Sequence, residues 1–583
     1  IRYPLPDLVH KIQASKVFIS SSENVIDVRN FSLMPDYEKE SPTYYEVHLD
    51  KLLLGNVDMN QVFLTSNLEV DELILNSPDF KVLTGKRSIN EGDPNGDLNE
   101  FIQGQLNSIS IKELAINKGR FSKALKEDSL RNRIELEELN FKMVDFYLGN
   151  DSLKKVNQFF YGQDASMVIH GGKLFLGDGI HVFTGDRIEV SSFKDELRVI
   201  GVQISPLQGQ LSDHLIKISL EEIFLDEIDF KNLYNHGLLT VGSLDVLEPA
   251  VEYISFGRPE PNSRQSSVSD FIIGFLDKVS IENFRVDRGK IQFTDERGNK
   301  TNDIGFDEFS FKLEGLEINP NPSLPIYEQF ISKEIYISLN NYLLKLRDNL
   351  HLFQASNLTL DSKEEILQIE NLSIRPESQE LIDLVLEKTG KTAAIDFFVP
   401  LFRADGIDVQ NALFNQNLIV EKIILPKPKF SISVFQKPIT SKKSPQSTED
   451  IRGLLLGYFN QIHVDSILLN QATIDFQSLG QSQKSRFHED EFYLTLKNFS
   501  IHPGDSSISG KTLFSEEIDL IFNNYFFNIA GGKYFAEIDR MNYNSKEEAL
   551  VLDGLTLQPG QNFRGSIALG LDFPKVDLQG VDI

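Results

Sequence analysis

The residues that could do chemistry are few and scattered. Ten histidines are spread over 583 residues, and they form no His-Glu-x-x-His pair of the kind that grips zinc on one helix face. His48, His170, His181 and His236 each read as strand-surface residues rather than metal ligands. Cysteine is absent, which excludes disulfides and thiolate metal sites and favours an oxidising compartment such as a periplasm. Asp93-Pro94-Asn95-Gly96-Asp97 resembles a calcium loop, but its glycine is misplaced for one, and a plain turn fits better. Gly177-Asp178-Gly179 and Asp295 to Asn299 read as hairpin turns. The carboxylates belong to solvated strand faces. No phosphate loop or dinucleotide fingerprint occurs, and the expectation is a protein that is not an enzyme and carries no cofactor.

The strongest pattern is a ten-residue phrase that recurs seven times. Ile26–Pro35 (IDVRNFSLMP) returns as Leu197–Pro206, Phe311–Pro320, Leu367–Pro376, Leu494–Pro503 and Leu550–Pro559, with a weaker copy at Phe141–Asn150. The spacing alternates between roughly 115 to 127 and 56 residues, giving a unit of about 170 residues. The expected units are 1–182, 183–350, 351–533 and a partial fourth at 534–583, forming one continuous array rather than independent domains.

Each copy alternates apolar and polar residues and then changes step once. The step falls on Asn30, Asp145, Gly201, Gly315, Asn371, Asn498 and Gly554, residue types that tolerate a left-handed backbone. The reading is a strand with a bulge that keeps four apolar side chains on one side; the alternative is a tight turn between two short strands. Bulge chemistry also accounts for the Asn-x-Ser triplets at Asn30, Asn371 and Asn498 better than glycosylation does. The closing proline cannot donate to a ladder and ends the strand.

One short amphipathic helix per unit is expected at 98–106, 268–276 and 451–459, from apolar stripes such as Leu98, Phe101, Ile102 and Leu106. The fold class expected is mainly β: an elongated, curved antiparallel sheet of ~170-residue repeats forming a hydrophobic groove. With 43 Phe, no Trp and 40% apolar residues, such a sheet carries a long apolar face that must be covered. A second sheet layer, a β-helix or a ligand-filled groove would each do so, and the groove fits the repeat best. Its expected lining is Val28, Phe31, Leu33, Met143, Phe146, Val199, Val202, Ile204, Leu313, Leu316, Ile318, Ile369, Leu372, Ile374, Leu496, Phe499, Ile501, Leu552, Leu555 and Leu557.

A net charge of −28 speaks against nucleic acid, which requires clustered Lys and Arg. No apolar run reaches the ~18 to 20 residues of a membrane-spanning helix. The long units, and strand segments such as Val70–Leu75 and Val464–Leu469, resemble the repeating β-groove, or bridge-like lipid transfer, superfamily. Its bacterial members are the AsmA-like and TamB-like envelope proteins. The resemblance implies a non-enzymatic conduit for phospholipid or another acyl-chain lipid, moving it between inner and outer membranes or supporting outer-membrane biogenesis. It further implies a periplasmic location, an inner-membrane anchor outside this chain, and membrane-anchored or membrane-embedded partner proteins at the ends. The alternative is a structural or scaffold subunit of an envelope or secretion complex.

Overall fold

In the computed structural model, the described residues are 2–5, 7–84, 106–126, 131–149, 161–207, 214–255, 276–295, 304–319, 321, 324, 329–346, 350–377, 393–435, 459–479, 486–502, 513–529, 533–560, 563–564 and 569–581. The chain is mainly β, with few helices. It divides into two compact units, Ile1–Lys300 with Lys312–Lys333, and Thr301–Phe311 with Glu334–Ile583. The three sequence-predicted helices at 98–106, 268–276 and 451–459 lie almost wholly outside the described residues, as do the Asp93–Asp97 loop and the turn after Asp295.

The strands of the first unit begin with β1 (Arg2–Pro4), β2 (His10–Gln13), β3 (Lys16–Ser20), β4 (Val25–Pro35) and β5 (Thr43–Gly55). Helix α1 (Met59–Thr65) precedes β6 (Asn67–Asn76), β7 (Asp79–Thr84), β8 (Ser108–Leu125) and β9 (Ile134–Gly149). The pattern resumes with β10 (Asp164–Phe175), β11 (His181–Ser191), β12 (Glu196–Pro206) and β13 (His214–Asp226). Then come α2 (Phe230–His236), β14 (Leu238–Leu247), β15 (Ala250–Ser255), β16 (Lys278–Asp295), β17 (Ile304–Ile318), whose residues are divided between the two units, and β18 (Phe330–Ile331). The second unit repeats the order as β19 (Glu334–Lys345), β20 (His351–Asp361), β21 (Ile366–Pro376), β22 (Ala393–Ile407), α3 (Val409–Phe414), β23 (Asn417–Pro426), β24 (Lys429–Phe435), β25 (Gln461–Leu479) and β26 (Arg486–Ile501). It closes with β27 (Glu517–Ile529), β28 (Tyr534–Asn544), β29 (Ala549–Pro559) and β30 (Leu571–Gln579).

The sheet is mixed, which corrects the purely antiparallel expectation. β5 pairs antiparallel with β7 along Thr43–His48 and with β6 along Lys51–Gly55. Both short strands then pair parallel with the single long strand β8. They lie end to end in one register line, broken at Ser77-Pro78, where Ser77 has φ +52° and proline withholds the ladder donor. Glu248-Pro249 (φ +50°) and Lys427-Pro428 (φ +50°) break the same line twice more, with β16 and β25 as the parallel partners. Parallel neighbours need a crossover connection rather than a two-residue hairpin. Alternation of apolar residues cannot distinguish the two strand directions, so nothing in the periodicity foretold this.

The helices also fall where periodicity did not place them. Each follows an apolar–Asp pair: Val57-Asp58, Ile228-Asp229 and Ile407-Asp408. The aspartate caps the helix, with its side chain accepting backbone N–H groups from Asn60 and Gln61, from Asn232, or from Asn411. The apolar residue is buried, at 1%, 2% and 5% exposure. Its N–H bonds back to the carbonyl of Asn24, Asp195 or Glu365 in the preceding hairpin. Helices of six or seven residues make under two turns, too few for an apolar stripe to repeat. The capping aspartate was the one available signal.

Candidate functional site

The candidate site is the apolar face of the repeated strands, built by the residue at which each strand changes step. Asn30, Asp145, Gly201, Gly315, Asn371, Asn498 and Gly554 all have positive φ, between +47° and +66°. The strands run through all seven unbroken, and in four copies the strand reaches the proline, so Pro35, Pro206, Pro376 and Pro559 are terminal strand residues. In β4, Arg29 pairs with Lys51 and Phe31 with Leu49 in one unchanged register. The same holds around Asp145, Gly201, Asn371, Asn498 and Gly554. No residue is inserted: one left-handed residue inverts side-chain parity and leaves the pairing intact.

The consequence is a face that stays apolar across the kink. Ile26, Val28, Phe31 and Leu33 pair with Leu54, Leu52, Leu49 and Val47. Val70 and Leu73, of opposite parity on β6, belong to a single packed cluster, as do Ile111 and Leu114 on β8. Val57, Met59 and Val62 of the α1 region cover that cluster.

What fills the space over each kink follows a rule. Where the kink residue is glycine, the facing side chain of the neighbouring strand lies over it. A Cβ on Gly201 would stand 2.2 Å from Asp186 Oδ2, and one on Gly554 2.1 Å from Asp539 Oδ2. Where it is asparagine, that neighbour is hydrogen-bonded instead. Asn30 Nδ2 donates to Ser15 Oγ at 2.9 Å, Asn371 to Ser356 Oγ at 3.0 Å, and Asn498 to Glu516 Oε2 at 2.9 Å.

None of the twenty expected lining residues is exposed. Met143, Val202 and Leu316 are each 1% exposed, and Val199, Leu313, Ile369, Leu372, Leu496 and Ile501 are also buried. Val28, Phe31, Leu33, Phe146, Ile204, Ile318, Ile374, Phe499, Leu552, Leu555 and Leu557 are half-buried. In β12 and β21 the last lining residue before the proline is half-buried where the two before it are buried, whereas in β26 the last is Ile501, at 2% exposure. The opposite face carries cross-strand ion pairs such as Lys81–Glu46 at 3.0 Å, Lys173–Glu137 at 2.9 Å and Lys217–Glu252 at 2.9 Å. A hydrogen bond from its own ammonium to Glu137 raises the Lys173 pKa.

The strand-surface expectation for the histidines is overturned at three of them, His10, His181 and His351, which are 3%, 1% and 3% exposed. His181 is 1% exposed, as is characteristic of a buried latch rather than a strand surface, while His170 and His236 are exposed. Asp178 accepts the backbone N–H groups of Ile180 and His181 and the His181 ring Nδ1 at 2.5 Å. The ring's Nε2 accepts the Ile216 N–H at 3.1 Å. Asp7 and His10 repeat this toward Tyr45, and His351 toward Ile395. Burial pushes the Asp178 carboxyl up, but its hydrogen bonds, led by that from the His181 ring, carry it below the ordinary value. The Asp-x-x-His spacing at Asp7, Asp178 and Asp348 was a signal visible in the sequence. At Asp7 and Asp178 its work is to tie a hairpin turn to the next strand, while Asp348 lies outside the described residues. The turn at Gly177–Gly179 between β10 and β11 is as expected.

Among the described residues, no group of three or more His, Cys, Asp or Glu could hold a metal ion. No helix among them is long and apolar enough to cross a membrane. No family model matches the chain and no curated protein matches it. Among solved structures it is similar to LptH, the LptA-homologous periplasmic component of the lipopolysaccharide transport device from Pseudomonas aeruginosa. That likeness is at 7% identity, covering 37% of this chain and 76% of that one, with a TM-score of 0.07. An overlap of that size carries no argument about fold or function.

Proposed function

We propose that this protein is a non-enzymatic lipid-binding conduit of the repeating β-groove type, of the AsmA-like or TamB-like kind. It works in the periplasm, moving phospholipid between the inner and outer membranes or supporting outer-membrane biogenesis. One observation carries the reading: every copy of the phrase spends a left-handed residue to keep apolar side chains on one face. A strand that needed only a sealed core on one side of a single kink-free sheet would not need to repeat that device. Alkyl chain laid on such a face is stabilised by ~0.8 kcal/mol per methylene. Equivalent positions repeated along the array let a chain slide without a deep trap. Inner-membrane anchoring and partner proteins at the ends belong to the same proposal.

The test is native mass spectrometry of gently purified protein, with the expected result a population carrying one or more acyl lipids. Ile204→Asp and Ile374→Asp, at half-buried lining positions, lower that population. Leu316→Asp and Leu372→Asp are poorer probes, because at 1% and 4% exposure a charge there unfolds the sheet. Protein that purifies lipid-free and transports normally in the Ile204 and Ile374 variants would sink the conduit. A second reading, a scaffold subunit, draws on the near-complete burial of Met143, Val202 and Leu316 by the protein's own side chains. A lipid-free, fully stable protein would favour it.

A further inference from the structure

Among the described residues, Glu489, at 7% exposure, is a buried acid outside the histidine latches, where the buried Asp178 carboxyl is held by His181. It lies on β26, two residues before Glu491, whose φ is +59°. At every other kink the residue two before the left-handed position belongs to the apolar face: Val28 before Asn30, Met143 before Asp145, Leu496 before Asn498. The same parity turns Glu489 onto that face. Its Cα partner across β25 is Ile474. A row of aromatic rings runs beside it, with Phe492 to Phe522 at 5.7 Å, Phe522 to Tyr525 at 5.3 Å and Tyr525 to Phe527 at 5.7 Å between centroids.

Among the described residues, no cation forms an ion pair with this acid. No side chain among them hydrogen-bonds to its carboxyl, and its level is set by burial first and by Asp490 and His488 after that. His488 is engaged on the opposite face, bridging Asp475 at 3.1 Å and Asp490 at 3.0 Å. From β27 the titratable neighbour is Tyr525, whose hydroxyl burial pushes up and the Glu489 charge pushes further. From β25 it is Asp475, outward with His488. The carboxyl is held near pH 7, at about 7. The rings are not sealed: Phe527 is 37% exposed.

We propose that Glu489 is a polar station on the apolar face, and that it binds the protonated amine of a ligand whose alkyl chain lies along Phe492, Phe522, Tyr525 and Phe527. A buried acid without a counter-charge has its full acceptor capacity open, and a cationic donor offsets the desolvation that isolates it. The aromatic faces beside it attract the same cation. This assignment rests on the lipid-conduit reading and names a headgroup chemistry within it.

The test uses the whole chain at physiological salt and three probes of equal chain length: dodecylamine, dodecanol and dodecanoate. Wild-type protein at pH 8 is expected to bind the amine about tenfold more tightly than the alcohol, as a charge-assisted hydrogen bond provides, and the fatty acid least. The preference shrinks at pH 5.5, where Glu489 is neutral while the amine keeps its charge. Glu489→Gln, close to isosteric, retains alcohol binding and loses the amine preference, and Glu489→Leu does the same. An amine preference that survives in Glu489→Gln is the general attraction of an acidic protein and overturns the assignment. So does equal binding of amine and alcohol to wild type. If none of the three chains binds, the conduit reading itself fails.

Discussion

At the scale of single residues, the kink and its neighbour act as a matched pair. Gly201 accepts Asp186 against its bare Cα, whereas Asn30 and Asn371 each donate to a serine at the equivalent neighbouring position. Gly201→Asn therefore drives its Cβ into Asp186 and is expected to cost about 2 kcal/mol or more. Adding Asp186→Ser recreates the Asn–Ser pair and returns most of that loss. Urea unfolding of the two single variants and the double variant checks this, and additive losses would refute the matched-pair account. Asp178 gives a pH prediction. Its carboxyl lies below the ordinary value in the folded state, so its contribution is complete above the usual carboxylate range near 4. That contribution is lost as pH falls through the lower folded value. Wild-type stability should drop more steeply than that of Asp178→Asn between pH 5 and pH 2.5. Parallel curves by circular dichroism would show that the latch adds nothing.

At the scale of elements, three devices recur with the repeat: the kink in a continuous strand, the Pro-broken line between two long strands, and the capped short helix. The helix is anchored more by its preceding residue than by its own turns. Ile228 is 2% exposed and its N–H reaches the Asp195 carbonyl. Ile228→Ala should cost roughly 2 to 4 kcal/mol by opening a cavity, and Asp229→Ala about 1 kcal/mol by uncapping α2. Chemical denaturation of both variants checks the ranking, and a larger loss for Asp229→Ala would reverse it. Elements of this kind were legible to different degrees. The kink residues stood out because asparagine, aspartate and glycine broke a strict alternation. The short helices, and the parallel pairing of β6 and β7 with β8, did not, because six residues show no period and alternation is blind to direction.

At the scale of the whole molecule, the array sets which variants lose lipid and which lose structure. Substituting aspartate at Ile204 or Ile374 is expected to reduce lipid occupancy with little change in unfolding midpoint, since a half-buried charge can still reach water. The same change at Val202 or Leu316, each 1% exposed, should lower stability by several kcal/mol. Paired thermal melts and native mass spectra separate the two classes. The sequence by itself determined the repeated phrase, the β class and the kink positions, because period-2 alternation and left-handed tolerance are local properties of residue types. Only the tertiary structure decided how completely each lining residue is covered, that His181 is buried, and that Glu489 stands among aromatic rings. Those depend on which strand lies alongside, and one misplaced parity step, such as that at Glu491, turns an outward carboxylate into an inward one.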